Sequence, residues 1–287
     1  MKAGAKALLS RRMGICLFVF LFLCAPSAEA DSAPGKIPIL FSDHHADHAI
    51  WLLEQAGGEQ VSLIVIDAHA DTSLNDGRDR IRAYIRQGYY READVLFHNH
   101  DWIHPLAPRP VDSLVWIGGL SGFPDTAKYQ GFAKSTAGWD IQERRCITLD
   151  ELGALSPGGN TLFVSIDLDF FYNDNCAPQD IPFVFDRLLD FSLRWTGKVV
   201  WAVCVSRAWL PAIEYAWELL EQSLAWLARR AEFAAPALTV FGKARYDTSR
   251  RAAAFRSMGI EAPGLYQKEK EMPERIRQLL EELRGRE

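Results

Sequence analysis

Two largely apolar, β-branched stretches of this chain each run directly into a short acidic motif. Residues 61–66 lead into Asp67-Ala68-His69-Ala70-Asp71, and residues 162–166 lead into Asp167-Leu168-Asp169. Continuous apolar runs of about four to eight residues are typical of strands buried on both faces of a parallel sheet. Because open α/β sheets bind ligands beyond the carboxyl ends of their strands, both motifs are expected at that edge of the sheet.

Strand-like and helix-like segments alternate along the chain, which favours parallel pairing and a sheet covered on both faces. The predicted strands are residues 37–41, 61–66, 93–97, 113–117, 161–167, 199–205 and 237–241. The predicted helices are residues 46–56, 78–87, 148–152, 181–195, 211–231 and 272–284. No low-complexity linker or internal repeat divides residues 31–287, so the sequence predicts a single three-layer α/β/α domain with a mainly parallel sheet.

The first 30 residues have the pattern of a secretory signal peptide. Basic residues precede an apolar run over residues 13–24, and Ala28-Glu29-Ala30 supplies an A-x-A cleavage site. The run is short for a bilayer span, although an uncleaved anchor is the alternative. We therefore expect a periplasmic or secreted protein. Because no later segment is long and apolar enough to span a bilayer, we expect no stable membrane anchor after cleavage.

Charge and cysteine content narrow the classes of partner. Cleavage after residue 30 removes four basic side chains and one acidic one, which takes the net charge from −5 to −8 and argues against a nucleic-acid partner. Three cysteines remain, Cys146, Cys176 and Cys204, so at least one is unpaired within the chain. A Cys146–Cys176 bridge is one option, and Cys204 lies in an apolar run typical of a buried thiol. The absence of a C-x-x-C motif argues against a zinc-thiolate site.

The two acidic motifs have the spacing of metal ligands. Side chains two residues apart in an extended segment point to the same side, which brings together Asp67, His69 and Asp71 at one strand end and Asp167 and Asp169 at the other. Carboxylate and imidazole ligands suit Mn²⁺, Fe²⁺ or Zn²⁺ better than Ca²⁺. Shared carboxylates can hold two ions about 3.5–4 Å apart. The alternative is that these aspartates serve as helix caps and turn residues.

All seven histidines lie between residues 44 and 104. His44 and His45 follow the first predicted strand, so one of them is expected as a further ligand. His48 is expected to be a packing or exposed residue. His98, His100 and His104 cluster in one loop, either as proton shuttles above the site or as a surface cluster.

The order of these motifs resembles that of the arginase/histone deacetylase fold. Those enzymes carry an Asp-His, then D-A-H-x-D, then S-x-D-x-D at successive strand ends, and this chain carries Asp43-His44, residues 67–71 and residues 165–169 in that order. The resemblance assigns one manganese ion to His44, Asp67, Asp71 and Asp167. It assigns a second manganese ion to Asp67, His69, Asp167 and Asp169, so that Asp67 and Asp167 bridge the two ions.

A closer likeness is to a small uncharacterised family of arginase-like proteins. That family has an Ile-Pro-Ile-Leu-Phe strand leading into Asp-His-His and an Ile-Asp-Leu-Asp-Phe-Phe run, which this chain matches at residues 37–45 and 166–171. The likeness covers roughly residues 36–210. Because the family has no assigned reaction, it implies a fold and a metal centre but no substrate.

Two departures from arginases bear on the substrate. Phe170-Phe171-Tyr172 follows the second motif where arginases have a further Asp-Pro, and Ser206-Arg207 stands where guanidino-hydrolysing relatives have a glutamate. An arginine at the rim of a metal site suits a substrate carboxylate or phosphate, so Arg207 is predicted to bind substrate. The alternative is a structural ion pair. Arginine and agmatine are therefore not favoured as substrates.

The expected activity is hydrolysis of a C–N bond in an amidine, amide or N-acyl amine, with water activated by two ions, most simply Mn²⁺. Asp169 is expected to accept a proton, and one of the loop histidines, His98, His100 or His104, is expected to protonate the leaving amine. The substrate is expected to be a small, anionic molecule. The alternative is a secreted metal-binding protein without catalysis on the same scaffold. Phosphoester hydrolysis fits the ligands but not the motif order, and the oligomeric state is left open.

Overall fold

Within the part of the chain that the structure describes, seven parallel strands form the sheet on which the acidic motifs end. The structure, a computed structural model, describes residues 35–94, 96–121, 126–172, 176–207, 210–238 and 272–285. The strands are β1 (Ile39–Ser42), β2 (Val61–Ile66), β3 (Val111–Ile117), β4 (Glu143–Ile147), β5 (Thr161–Asp167), β6 (Val199–Cys204) and β7 (Ala237–Leu238). They lie in the order β4-β3-β2-β5-β6-β1-β7, and every pairing is parallel.

Helices cover both faces of this sheet. They are α1 (His45–Ala56), α2 (Arg78–Arg86), α3 (Tyr90–Asp94), α4 (Thr126–Ser135), α5 (Ile181–Ser192), α6 (Ile213–Leu227) and α7 (Glu274–Arg284). Short 3-10 helices span His104–Leu106, Leu149–Ala154, Leu168–Phe171 and Pro178–Asp180. Among the described residues, no helix is long and apolar enough to cross a bilayer.

Alternate residues of each strand enter two different cores. On β2, Ile64 and Ile66 pack in a cluster with residues of α5, α6 and α7, whereas Leu63 and Val65 pack with residues of α1 and α2. Both sets are almost completely buried, which explains why the strands of this sheet are apolar without alternation. The predicted three-layer α/β/α architecture with a parallel sheet is confirmed.

The sequence misplaces some elements. Residues 93–97 were predicted to form a strand, but α3 ends at Asp94 and Phe97 lies in a turn, where its side chain is buried. Strand β4 and helix α4 were not predicted. The predicted signal peptide at residues 1–30 lies outside the described residues, as do residues 239–241 of the last predicted strand. Cys146, Cys176 and Cys204 are all free, so the Cys146–Cys176 bridge is absent.

The order of the strands creates a crevice between β2 and β5. From β2 the chain moves outward through β3 to β4, and it then returns to the other side of β2 to form β5 and β6. This reversal is a topological switch point, where open α/β sheets bind ligands. Ile66 on β2 pairs with Ile166 on β5, so the acidic motifs that follow these residues leave the sheet side by side.

Candidate metal centre

The segment after β2 turns two carboxylates toward the crevice. Asp67 is fully buried, and its Oδ1 accepts a hydrogen bond from the backbone N–H of His69 at 2.7 Å. Trp116 Nε1 donates to the backbone oxygen of Asp67 at 3.0 Å. Asp71 has a φ of 51°, in the left-handed region that aspartate adopts more readily than most residues. Trp102 Nε1 donates to Asp71 Oδ2 at 3.0 Å, which fixes that carboxylate.

The segment after β5 repeats this local arrangement. Asp167 caps the following 3-10 helix, since its Oδ1 accepts a hydrogen bond from the backbone N–H of Asp169 at 3.0 Å. Its Oδ2 accepts a hydrogen bond from Ser206 Oγ at 2.6 Å, which links the end of β5 to the end of β6. The helix-capping role, which was the alternative to metal binding, is thus present. It holds the carboxylates in place at the crevice.

His45, and not His44, faces these carboxylates. His45 Nδ1 lies 2.5 Å from Asp71 Oδ2, and its Nε2 lies 3.1 Å from Asp167 Oδ2. His44 is the N-cap of α1, where its extended backbone turns the side chain back to accept a hydrogen bond from the Ala46 N–H at 2.9 Å. His45 thus has the contacts with Asp71 and Asp167 that the resemblance led us to expect of His44, and the role of His44 as a ligand stays a prediction.

Two groups of candidate ligand atoms share Asp67. His45, Asp67 and Asp71 form one group, and Asp67, His69 and Asp169 form the other; within each group the atoms lie within 4.8 Å of one another. A third group joins His45 and Asp167 to Cys204 Sγ. The three groups together contain all the predicted ligands except His44, and Asp167 belongs to the third group rather than to either of the two that share Asp67.

Two buried carboxylate oxygens are suited to bind a cation. Asp67 Oδ2 and Asp169 Oδ1 are inaccessible to solvent and accept no hydrogen bond from any described residue. Buried polar atoms without partners carry a free-energy cost, which a bound cation removes. These oxygens and the nearby imidazoles of His45 and His69 make a hard-to-borderline donor set that suits Mn²⁺, Fe²⁺ or Zn²⁺.

The acidic groups raise one another's pKa values. Burial raises the pKa of Asp67 well above its usual value, and the charges of Asp71 and Asp169 raise it further. Burial also raises the pKa of Asp169 to about 6, with the charge of Asp167 adding to the effect. The pKa of His69 is raised to about 10, first by its hydrogen bond with Asp169 and second by its hydrogen bond with Asp67. The site therefore favours positive charge, as expected where carboxylates converge.

The loop that carries the remaining histidines packs directly on His45. Asn99 Oδ1 accepts a hydrogen bond from the His45 backbone N–H at 3.1 Å. His104 accepts one at Nδ1 from the Asn75 N–H at 2.9 Å and stacks on Trp139, so its ring has a structural role. His100 lines the cavity above the acidic groups, whereas His98 does not line it and stacks behind His100 at 5.8 Å between ring centroids. Of the predicted proton donors, His100 has the access that the role requires.

Asp101 is expected to raise the pKa of His98 above that of a histidine in an unfolded chain. Its Nδ1 lies 2.8 Å from Asp101 Oδ2, and this hydrogen bond raises the pKa of His98. A raised pKa means that this contact stabilises the fold below the unfolded-state pKa of about 6.5 and that the contribution is lost as pH rises through the folded-state value. An NMR titration of the His98 ring should give a pKa above that of unfolded histidine, and Asp101→Asn should lower it. A His98 pKa at or below the unfolded value contradicts the assignment.

Arg207 is engaged by another side chain rather than by the cavity. Its Nε donates to Asp43 Oδ1 at 2.7 Å, and its Nη2 contacts Asp43 Oδ2. Both side chains are buried, and Arg207 is not among the residues that line the cavity. The ion pair that was the alternative for Arg207 is present, and the contact of Arg207 with substrate stays a prediction. The pair joins the end of β6 to the segment that leads into His45.

The cavity measures about 430 Å³ and opens beside the acidic groups. The candidate ligands His45, His69, Asp71, Asp167 and Asp169 line one part of it. Asn99, Trp102 and Lys128 also belong to this region, although no motif in the sequence predicted a role for them. The first two lie next to the histidines already singled out, whereas Lys128 belongs to a helix that no sequence pattern indicated. His48, predicted to be a packing or exposed residue, is fully buried, with Nδ1 2.8 Å from Ser165 Oγ.

No protein-family model matches the chain, and no curated protein sequence matches it. Among solved structures, it is similar to proclavaminate amidino hydrolase from Streptomyces clavuligerus, with 15% identity and a TM-score of 0.37 over 66% of this chain and 61% of that one. It is also similar to Helicobacter pylori arginase, with 13% identity and a TM-score of 0.36 over 67% of this chain and 72% of that one. The chain thus matches less than two thirds of the amidino hydrolase. Likeness at this level carries no argument about activity.

Proposed function

We propose that this protein is a metal-dependent hydrolase that cleaves a C–N bond in an amidine, an amide or an N-acyl amine. One observation carries the proposal: two groups of ligand atoms share the buried carboxylate of Asp67 at the switch point of the sheet. The cavity beside them gives a small molecule access to these groups. A structural role for the aspartates alone leaves the buried oxygens of Asp67 and Asp169 unexplained.

The ligand set proposed for two ions, most simply Mn²⁺, is His45, Asp67, His69, Asp71, Asp167 and Asp169. Fe²⁺ and Zn²⁺ suit the same donors. Bound ions of this kind lower the pKa of water toward neutrality and polarise a carbonyl or amidine carbon. The fixed partners of the carboxylates, which include Trp102 for Asp71 and Ser206 for Asp167, hold the ligands before an ion binds.

The protein's own residues then supply proton transfer. The oxygen of a water molecule forms a bond to the substrate carbon while the C–N bond breaks. Asp169, which lines the cavity, accepts a proton from that water. His100, which also lines the cavity, delivers a proton to the departing nitrogen. An amide then gives a carboxylic acid and an amine, and an amidine gives an amide and an amine. We further propose that the mature protein acts in the periplasm or outside the cell.

Metal analysis tests this proposal first. The full chain, expressed with Mn²⁺ available and purified without chelator, is expected to hold about two ions per molecule by elemental mass spectrometry. Hydrolysis of guanidino, ureido and acyl-amine compounds is then followed by amine release. Two ions and turnover of one such class support the proposal. One ion overturns the two-ion site, and no ion at high added metal overturns the hydrolase altogether. Two ions without turnover of any class favour a metal-binding protein that does not catalyse.

A further inference from the structure

One face of helix α4 forms a wall of the cavity. Lys128, Gly131, Phe132 and Ser135 all line it, at the spacing of residues that share one side of a helix. Tyr129, on another side, is half exposed. Ser135 Oγ lies 2.5 Å from Thr72 Oγ1, which attaches the end of α4 to the segment that follows Asp71. The helix face is therefore held in a fixed position relative to the acidic groups.

Lys128 brings the positive charge of this wall. It is the one lysine or arginine among the described residues that line the cavity. Its Nζ donates a hydrogen bond to the backbone oxygen of Ala68 at 3.1 Å, which holds the ammonium group beside the segment of Asp67 and His69. An ammonium group has three donors, so this contact leaves donors for a ligand. Arg207, in contrast, is buried against Asp43.

The cavity wall between Lys128 and the candidate ligands is apolar, and the cavity has space for a ligand beside it. Phe132 and Trp116 line the cavity with their rings 5.7 Å apart between centroids. A Cβ atom added at Gly131 would meet no atom within 4 Å, so the absence of a side chain there widens the cavity. A ligand that lies along this wall meets the acidic groups, an apolar surface and a cation.

We propose that the substrate carries a carboxylate that Lys128 binds, joined by a short apolar spacer to the C–N group that is cleaved. This inference rests on the proposed hydrolase and names its substrate class: N-acyl derivatives of amino acids. Lys128 is a specificity-determining residue in this scheme. The carboxylate makes a charge-assisted hydrogen bond with Nζ, and the apolar spacer contacts Phe132.

Binding of two uncleavable probes tests the inference without requiring turnover. The probes are 4-(methanesulfonamido)butyrate and its neutral primary amide, measured calorimetrically on the Mn²⁺-loaded full chain. The wild type is expected to prefer the carboxylate about tenfold, since a partly exposed charge-assisted contact is worth about that factor. Lys128→Met should abolish the preference by weakening only carboxylate binding, and Lys128→Arg should retain it. Gly131→Leu, which fills the cavity, should weaken both probes.

Lys134→Met is the matched control, because Lys134 lies on the same helix, is exposed and does not line the cavity. It should leave the preference unchanged. A preference retained in Lys128→Met, or absent in the wild type, overturns the inference. If Lys128 merely anchors α4 to Ala68, Lys128→Met lowers the melting temperature and weakens both probes equally. Metal content measured on the same samples separates this failure from failure of the hydrolase, which appears as a loss of bound ions.

Discussion

Replacing Asp67 with asparagine is expected to abolish metal binding and to stabilise the metal-free protein at the same time. Asp67 belongs to both groups of candidate ligand atoms, so its loss affects both ions, whereas loss of His69 affects one. We expect bound metal to fall from about two ions per chain to fewer than one and hydrolysis to fall by at least about 100-fold.

The gain in stability has an electrostatic cause. Asp67 is buried beside Asp71, Asp169 and Asp167, whose charges raise its pKa. An asparagine of the same shape removes one of these like charges and offers an N–H₂ donor to its neighbours. The free energy of unfolding of the metal-free chain should therefore rise by about 1–3 kcal/mol.

Melting curves with and without Mn²⁺ measure both effects. The wild type should melt higher with Mn²⁺, by an amount that corresponds to about 2.7 kcal/mol at a metal concentration of 100 times the dissociation constant. Asp67→Asn should melt at one temperature under both conditions. Asp76→Asn, which removes an equal charge from an exposed position, is the control and should change neither property. Two retained ions, or a metal-free variant less stable than wild type, would falsify the two-group interpretation.

Replacing Arg207 with methionine is expected to destabilise the fold by about 3–5 kcal/mol, the usual cost of removing one partner of a buried ion pair. The substitution takes the countercharge from Asp43, which lies just before the helix that begins with His45. Denaturant unfolding of the metal-free protein measures the loss. Metal affinity should fall as well, because the pair holds the segment that presents His45.

A double variant separates charge from packing in this pair. Asp43→Asn together with Arg207→Met removes both charges and should recover a large part of the lost stability. Arg277→Met is the control, because the Arg277–Glu274 pair has a distance of 3.0 Å but is largely exposed. It should cost no more than about 1 kcal/mol. Equal losses in the Arg207 and Arg277 variants contradict the structural role assigned to Arg207.

The central strands were predictable because burial on both faces leaves an unmistakable pattern. Val61–Ile66 and Thr161–Asp167 have the predicted bounds. Strand β4 has no such pattern, since it lies at the sheet edge and includes Glu143, Arg144 and Arg145, all of which keep solvent contact. The apolar residues of 93–97 suggested a strand, yet Ala93 and Phe97 are buried by packing of a helix end and a turn. A short buried apolar segment without a clear period can be a strand or a helix end, and the sequence alone does not distinguish the two.

The candidate site was predictable as a set of motifs but not in its details. The D-x-H-x-D and D-x-D spacings identify carboxylates that meet, because both follow strands whose position is fixed. The choice between His44 and His45 depends on the residue at which α1 begins, and helix ends are poorly defined by sequence. Arg207 and Lys128 are both cations near the crevice, and only the contact with Asp43 removes the first from the cavity. Tertiary contacts of this kind leave no mark on local sequence.

The position of β1 has a consequence for how the chain folds during synthesis. Ile39 on β1 pairs with Trp201 on β6, and Leu40 pairs with Ala237 on β7, so the first strand made is bordered by the last two. At a translation rate of about 5–20 residues per second, β1 waits roughly 10 to 40 seconds until both neighbours have been made. The half of the sheet from β2 to β5 can pair earlier. The junction that bears His45 is therefore completed last, so the ligand cluster assembles only after β6 and β7 have been made.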